Sequence, residues 1–185
     1  MCPEAITSEV FVCPGVQSVI DARKLPFPDG SLAIVMTDVM HHIADAERFL
    51  AEAQRALVPG GRILMIEPWV SAWSRFVYTR FHLEPFRPEA SAWEFPSSGP
   101  LSGANGALPW MIFHRDLAVF RKRFPRLEVT RVEPFMPLCY LVSGGESMRA
   151  LAPAWSFRAW KGLERLLAPL MGLLAMFAFI AVERR

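Results

Sequence analysis

The chain has 185 residues, which suits one domain with a sizeable core. Twenty Lys and Arg face 18 Asp and Glu, and the net charge of +2 argues against nucleic acid as the main partner, because phosphate binding favours a concentrated basic face. The three cysteines, Cys2, Cys13 and Cys139, are odd in number and show no CxxC spacing, so neither a disulfide framework nor a thiolate zinc site is expected.

In chain order, "VQSVID" at 16–21 is a short β-branched run that ends in an acid. "LPFPDGS" follows, with Pro26, Pro28, Asp29 and Gly30 as strong turn formers. "LAIVMT" at 32–37 is nearly continuous in apolar character, as in a strand buried on both faces of a parallel sheet. Residues 45–57 place Phe49, Leu50, Ala53, Ala56 and Leu57 at helical spacing, with Asp45 as N-cap and Gly60-Gly61 as the stop. "RILMIE" at 62–67 is a further buried strand, halted by Pro68. Strands alternating with a helix imply right-handed crossovers and a parallel sheet. Ligands of open α/β sheets bind beyond the carboxyl ends of the strands, here Asp21-Ala22, Thr37-Asp38 and Glu67-Pro68.

Residues 69–112 are rich in Trp, Pro, Gly and Ser. The first part is expected to be a helix and the second a long loop, a lid or binding loop for substrate. Residues 115–124 have helical character, with Arg121, Lys122 and Arg123 as a solvated face. Residues 127–135 and 138–143 are expected to form an antiparallel pair that ends the sheet. Gly144-Gly145 then separate a body at 1–145 from a C-terminal region at 146–185. Within it, Leu166–Val182 carries no charge, a length at the lower edge of what spans a bilayer, with Pro169 and Gly172 inside it. Trp155, Trp160, Arg158, Lys161 and Arg165 precede it, and Arg184-Arg185 follow. Two readings stay open for this apolar helix: peripheral membrane contact, or packing against an exposed face of the sheet. No basic n-region leads an apolar h-region at the N-terminus, so the expected setting is cytoplasmic and reducing, with membrane association as an extra.

"DARKLPFPDGSLAIVMTDVMHHIADAERFLAEAQRALVPGGRILMIEP" resembles the second half of the core of a class I S-adenosylmethionine-dependent methyltransferase. It is most similar to the small-molecule branch that includes the ubiquinone and menaquinone C-methyltransferases. D-A-x-x-L-P-F, D-G-S, H-H and P-G-G-R before a strand ending E-P stand in the family's order, over roughly 15–68. The resemblance implies an α/β, Rossmann-like, mostly parallel sheet with an antiparallel pair at its C-terminal end. It implies S-adenosylmethionine as cofactor. Asp21 would accept from the adenine amino group with Ala22 beside the ring; Thr37, Asp38, Val39 and His41 would flank the methionine end; Glu9 is the match for the ribose-binding acid. The Gly-rich loop that the family carries ahead of these motifs has no counterpart upstream of Asp21, so an N-terminally incomplete domain is expected.

Methyl transfer asks mainly for alignment and exclusion of water, and for a base when the acceptor loses a proton. His42 and His114 are the candidates for that base, with His82, Glu84 and Asp116 nearby in sequence or type. Trp69, Trp73, Tyr78, Trp93 and Trp110 are candidates for an apolar pocket, and "GANGALPW" for a ligand-approach loop. The expected function is methyl transfer to a small, apolar or lipid-like acceptor. The alternative is a non-catalytic remnant that binds a membrane or a partner; a nicotinamide oxidoreductase is a distant third. No metal site is expected.

Overall fold

The computed structural model describes residues 5–99, 102–145 and 149–185. Cys2 lies outside them; Cys13 is half-buried and Cys139 buried, and both are free thiols.

The N-terminal run forms less strand than its β-branched residues predict. β1 (Ser8–Glu9) and β2 (Ser18–Val19) pair in parallel as a two-stranded sheet of their own. Both are largely exposed, so no buried face rewards a longer ladder. The next stretch forms the expected elements, β3 (Ile34–Thr37), α1 (Ala46–Ala56) and β4 (Arg62–Pro68), with β3 and β4 parallel and Val35 opposite Leu64. But β3 is an edge strand with Val35 78% exposed, so it is not buried on both faces as its apolar run predicts. Asp45 caps α1 by accepting from the Arg48 N–H at 2.9 Å. The helix buries Ala46, Phe49, Leu50, Ala53 and Ala56. It ends at Leu57, which is extended, and not at the glycines. Gly60, at φ +73°, turns the chain three residues later, and a Cβ on Gly61 would meet the Val58 carbonyl at 2.7 Å.

The main sheet has four strands in the order β3-β4-β6-β5, with β5 at Leu127–Phe135 and β6 at Phe177–Arg184. Only β3–β4 is parallel; β6 runs antiparallel to both β4 and β5. This corrects the expectation of a mostly parallel sheet. The antiparallel pair at the C-terminal end exists, but β5 pairs with β6 and not with residues 138–143. Those residues hold a helix, α5 (Cys139–Ser143), whose first N–H groups, Leu138 and Cys139, donate to buried Glu164 at 3.0 and 2.8 Å.

The apolar tail is also not a helix throughout. After α6 (Phe157–Leu166), a short turn and α7 (Met171–Leu174), the chain enters the sheet as β6. Phe177, Ala178, Ile180, Ala181 and Val182 are buried in near-continuous succession. Neighbouring strand residues face opposite ways, so this pattern means that both faces are covered. A run without charges or alternation suits an inner strand as well as a helix. Among the described residues no helix is long and apolar enough to cross a membrane. β6, from the C-terminal region, joins β3, β4 and β5 in one sheet.

Residues 69–112 supply α2 (Ala72–Phe81), closed at its start by a reciprocal Ser71–Ser74 capping box. An irregular stretch leads to α3 (Leu108–Trp110), a wide π turn over Met111–Arg115, and α4 (Leu117–Arg123). The core gathers Phe49, Leu50, Ile63, Met65, Phe113 and Ile180 from α1, β4, the π turn and β6.

Candidate functional site

The carboxyl ends of β3 and β4 meet at a short 3₁₀ turn, Met40–His42. β3 continues through Asp38, whose N–H donates to the Ile66 carbonyl at 2.9 Å and whose φ is +54°, a left-handed conformation uncommon outside glycine. The 3₁₀ turn has no side-chain cap of its own. Glu67 of β4, fully buried, supplies one: its Oε1 accepts from the Val39 and Met40 N–H groups at 3.0 and 2.8 Å. Its Oε2 lies 2.8 Å from His41 Nδ1. That contact orients the ring, with Nε2 pointing away from β4.

That Nε2 is 3.5 Å from Glu84 Oε2, and His42 Nε2 is 3.6 Å from Glu84 Oε1. The two imidazoles are 4.2 Å apart between centroids. Burial alone would lower the His41 pKa; the carboxylates of Glu67 and Glu84 outweigh it and hold the pKa up at about 9. Burial, and then the charge of His41, push His42 down. The contact with His41 holds Glu84 below the usual carboxylate range.

Asn105 fixes the loop that delivers Glu84. Its buried amide oxygen accepts from the Arg87 and Ala107 N–H groups at 2.9 and 3.1 Å, and its backbone N–H donates to the His41 carbonyl at 2.9 Å. "GANGALPW" therefore acts as a structural tie, although Gly106 also lines the site. A cavity of about 20 Å³ lies here, walled by Asp38, His41, His42, Tyr78, His82 and Glu84 among others. It has room for roughly one water-sized occupant. Next to it, an apolar cavity of about 270 Å³ is lined by Trp73, Val77, Phe81, Leu83, Leu141 and Leu151, and shares Tyr78, His82 and Tyr140 with the smaller one.

Thr37, Asp38, Val39, His41 and His42 thus lie together at the two strand ends, as the motif order predicts. Other expected residues do not join them. Asp21 is bound by Arg23 through 2.8 Å and 3.0 Å contacts, with both side chains about two-fifths exposed (43% and 41%). That hydrogen bond lowers the Asp21 pKa against the opposing effect of burial. Ala22 packs against the edge of the core. Glu9 is exposed on β1. His114 is exposed, stacked on Trp110 at 5.4 Å and edge-on to Trp69 at 6.0 Å, and lines neither cavity. Asp116 accepts from the Trp93 indole at 2.8 Å and pairs with Arg115, a structural role. Of the aromatic set, Trp73 and Tyr78 line the apolar cavity, Trp69 and Trp93 are core, and Trp110 flanks the core. Glu67 was legible only as a strand end. Its role could have been read from the physics: an acid closing a buried strand must find donors.

Residues 6–65 match the family model described as a methyltransferase domain. Over 49 residues the chain is 51% identical to an uncharacterized 37.1 kDa protein in transposon TN4556 of Streptomyces fradiae, covering 26% of this chain and 14% of that protein. Over 48 residues it is 44% identical to a demethylmenaquinone methyltransferase of Thermus thermophilus, covering 25% of this chain and 22% of that one. The chain thus spans less than a quarter of the length of either relative. Among solved structures, geranyl diphosphate C-methyltransferase from Streptomyces coelicolor A3(2) aligns with 92% of this chain and 53% of its own, at 16% identity and a TM-score of 0.46.

Proposed function

We propose, from the match of residues 6–65 to a methyltransferase domain, that the chain takes part in methyl transfer from S-adenosylmethionine to a small acceptor with an apolar body. The observation that carries the reading is the junction of a polar recess, at the carboxyl ends of β3 and β4, with the 270 Å³ apolar cavity. A ligand with one polar end and one apolar end matches that junction.

The residues fit the cofactor in part. Thr37, Asp38, Val39 and His41 stand at a strand end suited to its methionine portion. Asp21 has the right chemistry for an adenine amino group, but its carboxylate is held by Arg23, so that ion pair must open or share. Glu9 is the proposed ribose partner by sequence position alone. When bound, S-adenosylmethionine supplies an activated methyl group on a sulfonium. This chain's own work is to align the acceptor and exclude water. Trp73, Val77 and Leu141 would hold the apolar body, while His42 and Glu84 face its polar end. His114 is left out of this reading.

Exposed Trp155, Phe157, Leu166 and Leu173, with Arg158 and Arg165 on the same segment, form the surface proposed for peripheral lipid contact. Co-sedimentation with anionic vesicles that survives unchanged in Trp155→Ala would rule that surface out.

Calorimetric titration of the 185-residue chain with S-adenosylmethionine and S-adenosylhomocysteine tests the main reading. Micromolar binding that weakens in Asp38→Ala supports it. Absence of binding to folded protein would leave this chain, by itself, without the cofactor site.

A further inference from the structure

The contacts of Glu84 with the two histidines have an unusual length. At 3.5 and 3.6 Å they are too long for good hydrogen bonds. The first, between His41 Nε2 and Glu84 Oε2, is close to the separation of two ligands on one tetrahedral ion, about 3.3–3.4 Å for bonds of about 2.0–2.1 Å. His41, His42 and Glu84 each present a ligand atom, and the three atoms lie within 4.8 Å of one another.

Behind His41, the fully buried Glu67 holds Nδ1 at 2.8 Å and leaves Nε2 directed at Glu84. A carboxylate that orients the far nitrogen of a ligating imidazole is the usual support of a metal-bound histidine. Glu67 is engaged in the support instead, its two oxygens accepting from Val39, Met40 and His41. In front, the cavity of about 20 Å³ has the size of a single small occupant. His42 contributes one more feature: its Nδ1 is buried and has no partner in hydrogen-bonding geometry. The ring, beside the Gly103 backbone, presents Nε2 to Glu84.

We infer that His41 Nε2, His42 Nε2 and a carboxylate oxygen of Glu84 form a three-ligand site for a divalent transition-metal ion of the zinc type, its fourth position open to the cavity. Two imidazoles and one carboxylate suit Zn²⁺ or Fe²⁺; a single protein oxygen does not suit Mg²⁺ or Ca²⁺. The spacing of these residues along the chain gives no hint of the site, since Glu84 joins the H-H pair only through the loop tied by Asn105. The site stands independently of methyl transfer. If both hold, the open position faces the junction of the two cavities, where it would polarise an oxygen of the acceptor, and His42 serves as a ligand and not as a base.

Cobalt(II) titration of the metal-free 185-residue chain tests this without cofactor or acceptor. The expected result is one equivalent of Co²⁺ with the intense visible absorption of four-coordination, displaced by Zn²⁺. His42→Ala and Glu84→Gln, each shown to be folded by circular dichroism, should weaken binding at least tenfold. Glu67→Gln should weaken it about 10–100-fold by loosening His41. Cys13→Ser should bind as the parent does. No saturable 1:1 binding, or 1:1 binding unchanged in both His42→Ala and Glu84→Gln, overturns the site.

Discussion

Two acids stand at strand ends of this molecule, and they meet opposite fates. Asp21, just after β2, sits beside a small exposed sheet and pairs with its near neighbour Arg23. Glu67, in β4, is wholly buried, and three donors from a different element converge on it. The first is a local, solvent-screened ion pair, the kind worth little to stability and cheap to open for a ligand. The second is part of the fold: it caps the 3₁₀ turn, orients His41 and joins β4 to the end of β3. An acid at a strand end is thus held by a local ion pair on the rim and is an organising group within the sheet.

The largest test of that contrast is Glu67→Ala. Removing one partner of a buried, hydrogen-bonded pair should cost about 3–5 kcal/mol of unfolding free energy, measured by urea denaturation. A loss below about 1 kcal/mol would mean that water replaces the carboxylate and that Glu67 is no organiser. Next comes Ile180→Ala in the inner strand β6, where truncation of a fully buried side chain should cost about 2–5 kcal/mol. A near-neutral result would show that β6 is not seated in the sheet in solution. Asp21→Ala should behave in the opposite way. Stability should change by less than about 1 kcal/mol, while affinity for S-adenosylhomocysteine falls about tenfold or more, the worth of a hydrogen bond to a charged group. Unchanged affinity in calorimetry would remove Asp21 from the cofactor site. The smallest effect is expected for Arg23→Ala, which frees Asp21 without removing it. Binding should stay within about threefold of the parent, because an exposed ion pair is worth roughly 0–1 kcal/mol; a larger loss would make Arg23 the ligand group in place of Asp21.

Much of the β3–α1–β4 unit was legible from the chain, and for local reasons. Asp45 ahead of Phe49, Leu50 and Ala53 is a cap followed by a helical stripe, and both are decided within a few residues. "LAIVMT" and "RILMIE" have no alternation, which marks them as strands but not their place: β4 is an inner strand, whereas β3 lies at the edge of the sheet with Val35 exposed. The candidate site was half legible. Thr37–His42 follow β3 directly, so the motif carried them to a strand end. Glu84 was visible only as one acid among several, and His114, equally plausible by type, is exposed against Trp110 and Trp69. Which of the two enters the site depends on the path of a loop tied by Asn105, a contact between distant parts of the chain.

The amino-acid order alone determined that this is an α/β chain with a methyltransferase-like segment, that its acids fall at strand ends, and that its last third holds an uncharged apolar stretch. Tertiary structure decided what that stretch becomes. Leu166–Val182 satisfies the composition of a helix and of an inner strand alike, and Pro169 interrupts only the first half. Between β4 and β5 the run from Phe177 gains ladder hydrogen bonds on both edges and burial on both faces. No local propensity competes with that combination, because a strand's pairing partners lie outside the window in which propensity acts. The same distance dependence assembled Glu67, His41, His42 and Glu84: hydrogen bonds and charges act through space, and their spacing in the sequence carries no record of it.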